Sequence, residues 1–100
     1  MLRVTRMWVR TNIETPWFAD TTPEFIEYAK INYRDTGKRS IVIRTLSDDG
    51  LTMTQIMDYA SSETFAEWCN DPIVKAWLKA RAEYQSANGI TILSTQQETI

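Results

Sequence analysis

Ser47-Asp48-Asp49-Gly50 separates two β-rich runs, Ser40 to Leu46 and Leu51 to Ala60, and it constrains the fold more than any other stretch of the chain. Asp-Gly between apolar alternating runs is the strongest short-range signal for a β-hairpin, because the glycine takes the positive φ that a tight turn requires. The two runs are therefore expected to be antiparallel neighbours in one sheet.

The flanking segments fall into place around that hairpin. Leu2 to Ile13 alternates with period two and reads as a strand, with Leu2, Val4, Arg6, Trp8 and Arg10 on one face and Met7, Val9 and Ile13 on the other. A loop follows, Glu14-Thr15-Pro16-Trp17-Phe18-Ala19-Asp20. Thr21-Thr22-Pro23-Glu24 opens a first helix, since a hydroxyl residue caps free N–H groups and proline is tolerated in the first turn. Phe25, Ile26, Ala29 and Tyr33 form its apolar stripe, and Asp35-Thr36-Gly37-Lys38 closes it with Gly37 as the left-handed cap.

A second helix starts near Ser61 or Ser62 and buries Phe65 and Trp68. Asp71-Pro72 breaks and restarts it, because the residue before proline disfavours helical angles while Asp and Pro together begin a helix. The restarted piece runs from Pro72 to about Ser86, with Val74, Trp77, Leu78, Ala82 and Gln85 on one stripe. Asn88-Gly89 ends it, Ile90 to about Gln97 is the last strand, and the final three residues are expected to be loose.

The order β-α-β-β-α-β over residues 1–100 defines one α+β domain of ferredoxin-like layout, with a four-stranded antiparallel sheet and both helices on one face. With 43% hydrophobic and 24% charged residues and only three glycines and three prolines, the composition is that of an ordinary globular domain. The strands carry apolar residues on both faces, Ile41 and Ile43 opposite Val42 and Leu46, and Met53 and Met57 opposite Ile56. A sheet with one wet face alternates cleanly instead. Nothing left in the chain covers the second face, so a homodimer packed sheet to sheet is expected.

This layout, with the Asp48-Asp49-Gly50 turn and the interrupted helix Phe65-Ala66-Glu67-Trp68-Cys69-Asn70-Asp71-Pro72, resembles the dimeric α/β-barrel superfamily and its antibiotic-biosynthesis-monooxygenase-like group. The resemblance spans nearly the whole chain. It implies a dimeric barrel and allows monooxygenases, isomerases and stress-induced proteins. Haem-degrading members depend on an iron-ligating histidine, and this chain has none.

The missing histidine also removes Ser-His-Asp and Cys-His catalysis and any histidine-ligated metal. The single Cys69 excludes an internal disulfide and, sitting beside a core tryptophan, reads as buried and inert. No cofactor is expected. No signal peptide and no 18-residue apolar run are apparent, so no membrane partner is expected and the protein reads as cytoplasmic. RNA-recognition motifs share this topology, but Leu51 to Tyr59 lacks their basic and glycine-aromatic string. With a net charge of −2, nucleic acid is not an expected partner.

The candidate ligand-binding residues are Arg6, Trp8, Arg10, Asn12, Trp17 and Phe18. Guanidiniums beside an indole suit a planar or anionic ligand, or they pair with acids of a partner at the barrel rim. Met7 and Val9 make the better helix-facing set, which turns the arginine face towards the second side of the sheet. Trp17 and Phe18 close a pocket or plug the end of the core. The expected protein is a small homodimeric binding or interaction module for such a small-molecule ligand. The alternative is a cofactor-independent monooxygenase acting on an aromatic or polycyclic substrate through Trp8, Asn12 and a tyrosine.

Overall fold

The computed structural model describes residues 1–18 and 21–98, so Ala19 and Asp20 of the first loop and residues 99 and 100 lie outside the described residues. The chain runs β1 (Leu2–Val9), α1 (Pro23–Ala29) continued by a π-helical turn (Lys30–Arg34), β2 (Arg39–Leu46), β3 (Thr52–Tyr59), α2 (Ser62–Asn70), α3 (Pro72–Ala87) and β4 (Thr91–Glu98). The sheet has the order β2-β3-β1-β4 with every neighbouring pair antiparallel, an α+β architecture of ferredoxin-like layout.

Local chemistry sets the element boundaries. The Thr22 side chain accepts from Phe25 N at 3.1 Å, Ser61 accepts from Thr64 N at 3.1 Å, and Asp71 Oδ1 accepts from Ile73 N at 2.9 Å. Each helix start thus has one of its free N–H groups satisfied by the preceding side chain. Gly50 closes the β2–β3 turn at φ +74°, where a side chain would also meet Ile13 Cγ2 at 3.4 Å. β1 stops at Val9, short of the Ile13 read from alternation. Arg10 N still donates to Leu51 O at 2.9 Å, but β3 begins only at Thr52, and no partner strand extends past it. β4 runs one residue past its expected end: Glu98 pairs with Leu2.

The larger correction concerns which face of β1 meets the helices. Leu2, Val4, Met57 and Tyr59 pack with Tyr33, Trp68 and Val74 in the core, and Trp8 is 1% exposed. Met7 and Val9 point to the opposite side and are exposed. The arginine-bearing face is therefore the helix-facing one. Burying Leu2, Val4 and the large indole of Trp8 removes more apolar surface from water than burying Met7 and Val9 would. Arg6 follows by strand alternation, and its Nε is buried there.

Register then defines the outer face. Its rows are Ser40–Asp58–Arg3–Gln97, Ile43–Ile56–Thr5–Thr95, Thr45–Thr54–Met7–Leu93 and Thr52–Val9–Thr91. Its only charges among the described residues are Arg3 and Asp58, joined in a two-pronged ion pair at 2.8 and 3.0 Å. Apart from Ser40 and Gln97, the rest of these rows is threonine, aliphatic residues and Met7.

Candidate functional site

A cavity of about 510 Å³ lies between the helices and the inner face of the sheet. Six aromatic rings line it, those of Trp8, Trp17, Phe18, Phe25, Trp68 and Trp77, together with the cations Lys30, Arg34, Arg39, Arg44 and Arg81. No carboxylate stands among the described lining residues. All four tryptophans of the chain are in this set.

Two departures from regular structure bring cations to it. In β2 the register slips between Ile41 and Ile43, and after the slip Arg44 stands opposite Gln55 on the inner face. Uninterrupted alternation from Arg39 would place Arg44 on the outer face, so the bulge re-aims it. On the inner face Arg44, Gln55 and Arg6 then lie directly across neighbouring strands. The second departure is the π-helical turn after α1, closed by Asp35 N donating to Lys30 O at 2.8 Å, which carries Lys30 and Arg34 on the cavity wall. Such turns are frequent at functional sites.

On α3, Trp77, Arg81 and Gln85 follow at four-residue spacing and share one face. Phe25 and Trp77 stack at 4.6 Å with planes 15° apart. The Arg81 guanidinium lies 4.5 Å from the Trp77 ring and 5.3 Å from the Trp8 ring, so it is flanked by two indoles. Arg39 lies 4.2 Å from the Trp68 ring and donates Nε–H to the Tyr59 hydroxyl at 3.1 Å, with Nη2 against Met57 Sδ.

The charge in this space is not internally compensated. Burial, together with the neighbouring guanidiniums of Arg6, Arg39 and Arg44, lowers Arg81 to about 10. The two salt bridges among the described residues, Arg3–Asp58 and Lys38–Glu67, involve none of the cavity cations. Arg6 Nε and Trp8 Nε1 are buried without a hydrogen-bond partner. Burial pushes the Cys69 thiol up, against the opposing pull of Arg6 and Arg39, and keeps it protonated at neutral pH.

The loop after β1 forms the remaining wall. Three successive carbonyls each accept a side-chain donor: Thr15 O from Arg10 Nη1 at 2.7 Å, Pro16 O from Tyr84 at 2.7 Å, and Trp17 O from Gln85 Nε2 at 3.2 Å. Arg10 also donates to Gly50 O at 2.9 Å and covers the Trp17 ring at 4.4 Å. Phe18 packs edge-on against Trp77 at 6.2 Å.

Of the residues singled out from sequence, Trp8, Trp17 and Phe18 line the cavity. Arg6 lies behind the lining and acts there through its charge. Arg10 positions the loop, and Asn12 Oδ1 accepts from Glu14 N in the turn outside the lining. Trp8 lines the cavity with neither Asn12 nor a tyrosine among the described lining residues. Sequence reasoning missed Arg81 and Lys30 and assigned Trp77 to the core. The signal for Arg81 was its place four residues from both Trp77 and Gln85. Ala82, expected on that stripe, is exposed.

No protein-family model matches the chain, and no curated protein matches it.

Proposed function

We propose that this chain is a small-molecule binding protein whose helix–sheet cavity takes a planar, anionic ligand, and that it works as a homodimer joined through the outer face of its sheet. The observation that carries the reading is the cavity lining: six rings and five cations around about 510 Å³, with no carboxylate among the described lining residues. Pockets of this size suit drug-sized ligands, and guanidiniums flanked by indoles offer both stacking faces and in-plane donors. The threonine and aliphatic rows of the outer face support the dimer, because an unhelped sheet face with one ion pair leaves Met7, Val9, Ile43 and Leu93 in water. That arrangement also agrees with the resemblance to dimeric α/β barrels.

Tryptophan fluorescence tests the binding half directly, since every tryptophan lines the cavity. Naphthalene-1-carboxylate should quench the emission saturably, and the neutral 1-naphthalenemethanol should bind at least about tenfold more weakly. Absence of saturable quenching by either compound up to millimolar concentration would refute the reading. Sedimentation at micromolar concentration tests the dimer.

A further inference from the structure

We infer that the cavity ligand carries two negative charges at one end of a planar ring system, as an aryl phosphate monoester or an aryl dicarboxylate does, and that Arg81 and Arg44 hold those charges. This rests on the proposed binding function and narrows its ligand class.

The argument starts from how the donors are disposed. Arg39 already uses one N–H on Tyr59 and another against Met57. Arg44 and Arg81 make no hydrogen bond within the described residues, although both line the cavity. The Arg81 guanidinium lies over the Trp77 and Trp8 rings, at 4.5 and 5.3 Å, and its N–H groups are its unused recognition surface. In-plane guanidinium donors match the oxygens of phosphate and carboxylate in pairs. Arg6, Arg39 and Arg44 each stand close enough to Arg81 to disfavour its charge. A monoanion would leave most of the like-charge repulsion around the half-buried Arg81 standing, whereas a dianion offsets it. The rings opposite, above all the Phe25–Trp77 stack, offer the flat apolar surface for the rest of the ligand.

The chain's lack of histidine makes the test clean, because few of its groups change charge between pH 5 and 7.5. A phosphate monoester passes from one to two charges in that interval, near pH ~6. Calorimetric titration of the full chain with 1-naphthyl phosphate should show affinity rising about tenfold or more from pH 5 to 7.5. Naphthalene-1-sulfonate, a monoanion throughout, should bind weakly and equally at both. Naphthalene-2,3-dicarboxylate separates the two sources of charge: a match to the phosphate at pH 7.5 supports two charges on spread groups, and weaker binding supports a single phosphate. Arg44→Met, a change at an exposed edge-strand residue, and Arg81→Met should each erase the pH dependence, with circular dichroism confirming the fold. Equal, pH-independent binding of phosphate and sulfonate would overturn the dianion and leave the binding function standing. No binding of any probe would overturn both.

Discussion

The Tyr33 hydroxyl donates to Asp71 Oδ2 at 2.7 Å, joining the π-helical turn to the junction between α2 and α3 across 38 residues. Tyr28 donates to the same oxygen at 2.5 Å, while Asp71 Oδ1 accepts from the N–H groups of Ile73 and Val74. Asp71 therefore ends α2 through its backbone N–H on Glu67 O, while its carboxylate starts α3 and anchors α1 and the π-helical turn. Burial works against its charge, but these hydrogen bonds outweigh it and hold Asp71 below the usual carboxylate range. For Tyr33, burial and the bond to Asp71 both push the phenol well above its ordinary value.

Replacing Asp71 by Ala removes a helix cap and leaves the buried Tyr33 hydroxyl without an acceptor, a loss on the order of 2 kcal/mol. The pH dependence follows from the two shifts. Asp71 contributes stability that is present above its unfolded value near pH ~4 and is lost as pH falls below it. Tyr33 contributes stability that is present below pH ~10 and is lost as pH rises further. Urea midpoints of the wild type should be nearly flat from about pH 5 to 9. Asp71→Asn should weaken both the acid and the alkaline dependence; unchanged limbs would show that this cluster does not set them.

Arg81→Met should stabilise the unliganded protein while erasing the pH dependence of phosphate-ester binding. A cation whose folded value is depressed to about 10 destabilises the fold at every pH below that, and the penalty fades only as pH rises towards the unfolded value. Its removal is expected to add about 1 kcal/mol, or ~4–8 °C in Tm for a domain of this size. Calorimetric melting at pH 7 checks the direction, and a fall in Tm would show that stacking on Trp77 and Trp8 outweighs the repulsion.

Arg10→Ala should leave the core intact and release the loop. Arg10 alone ties Thr15 to the hairpin carbonyl of Gly50, and its guanidinium covers the Trp17 ring. The expected readout is a red-shifted tryptophan emission with ligand affinity reduced about tenfold, reflecting a wall that must be ordered on binding.

Met7→Lys should convert a dimer to a monomer without loss of helical circular dichroism. Met7 stands beside Thr54 and Leu93 in the middle of the outer face, away from the cavity. Two like charges brought together there oppose sheet-to-sheet packing. Sedimentation before and after the change decides it.

The elements written in short-range chemistry were legible in the sequence. Asp71-Pro72, Thr22-Pro23 and Asp49-Gly50 act through neighbours a few residues away, and each placed its boundary within a residue or two. The orientation of β1 was not, because Met7 and Val9 against Leu2, Val4 and Trp8 is a contest decided by what packs opposite. Arg44 reaches the cavity through a bulge that no residue of Ile41-Val42-Ile43 announces. Arg81 on an amphipathic helix reads as solvent-facing until Trp8 and Trp77 are seen on either side of it.

The three tethers on the loop after β1 end on main-chain oxygens, which every amino acid possesses. Descendants of this gene are thus free to exchange Trp17 and Phe18 for other side chains while Arg10, Tyr84 and Gln85 keep the loop in place. The side chains on that wall can drift by single codon changes, with the scaffold that presents them inherited intact.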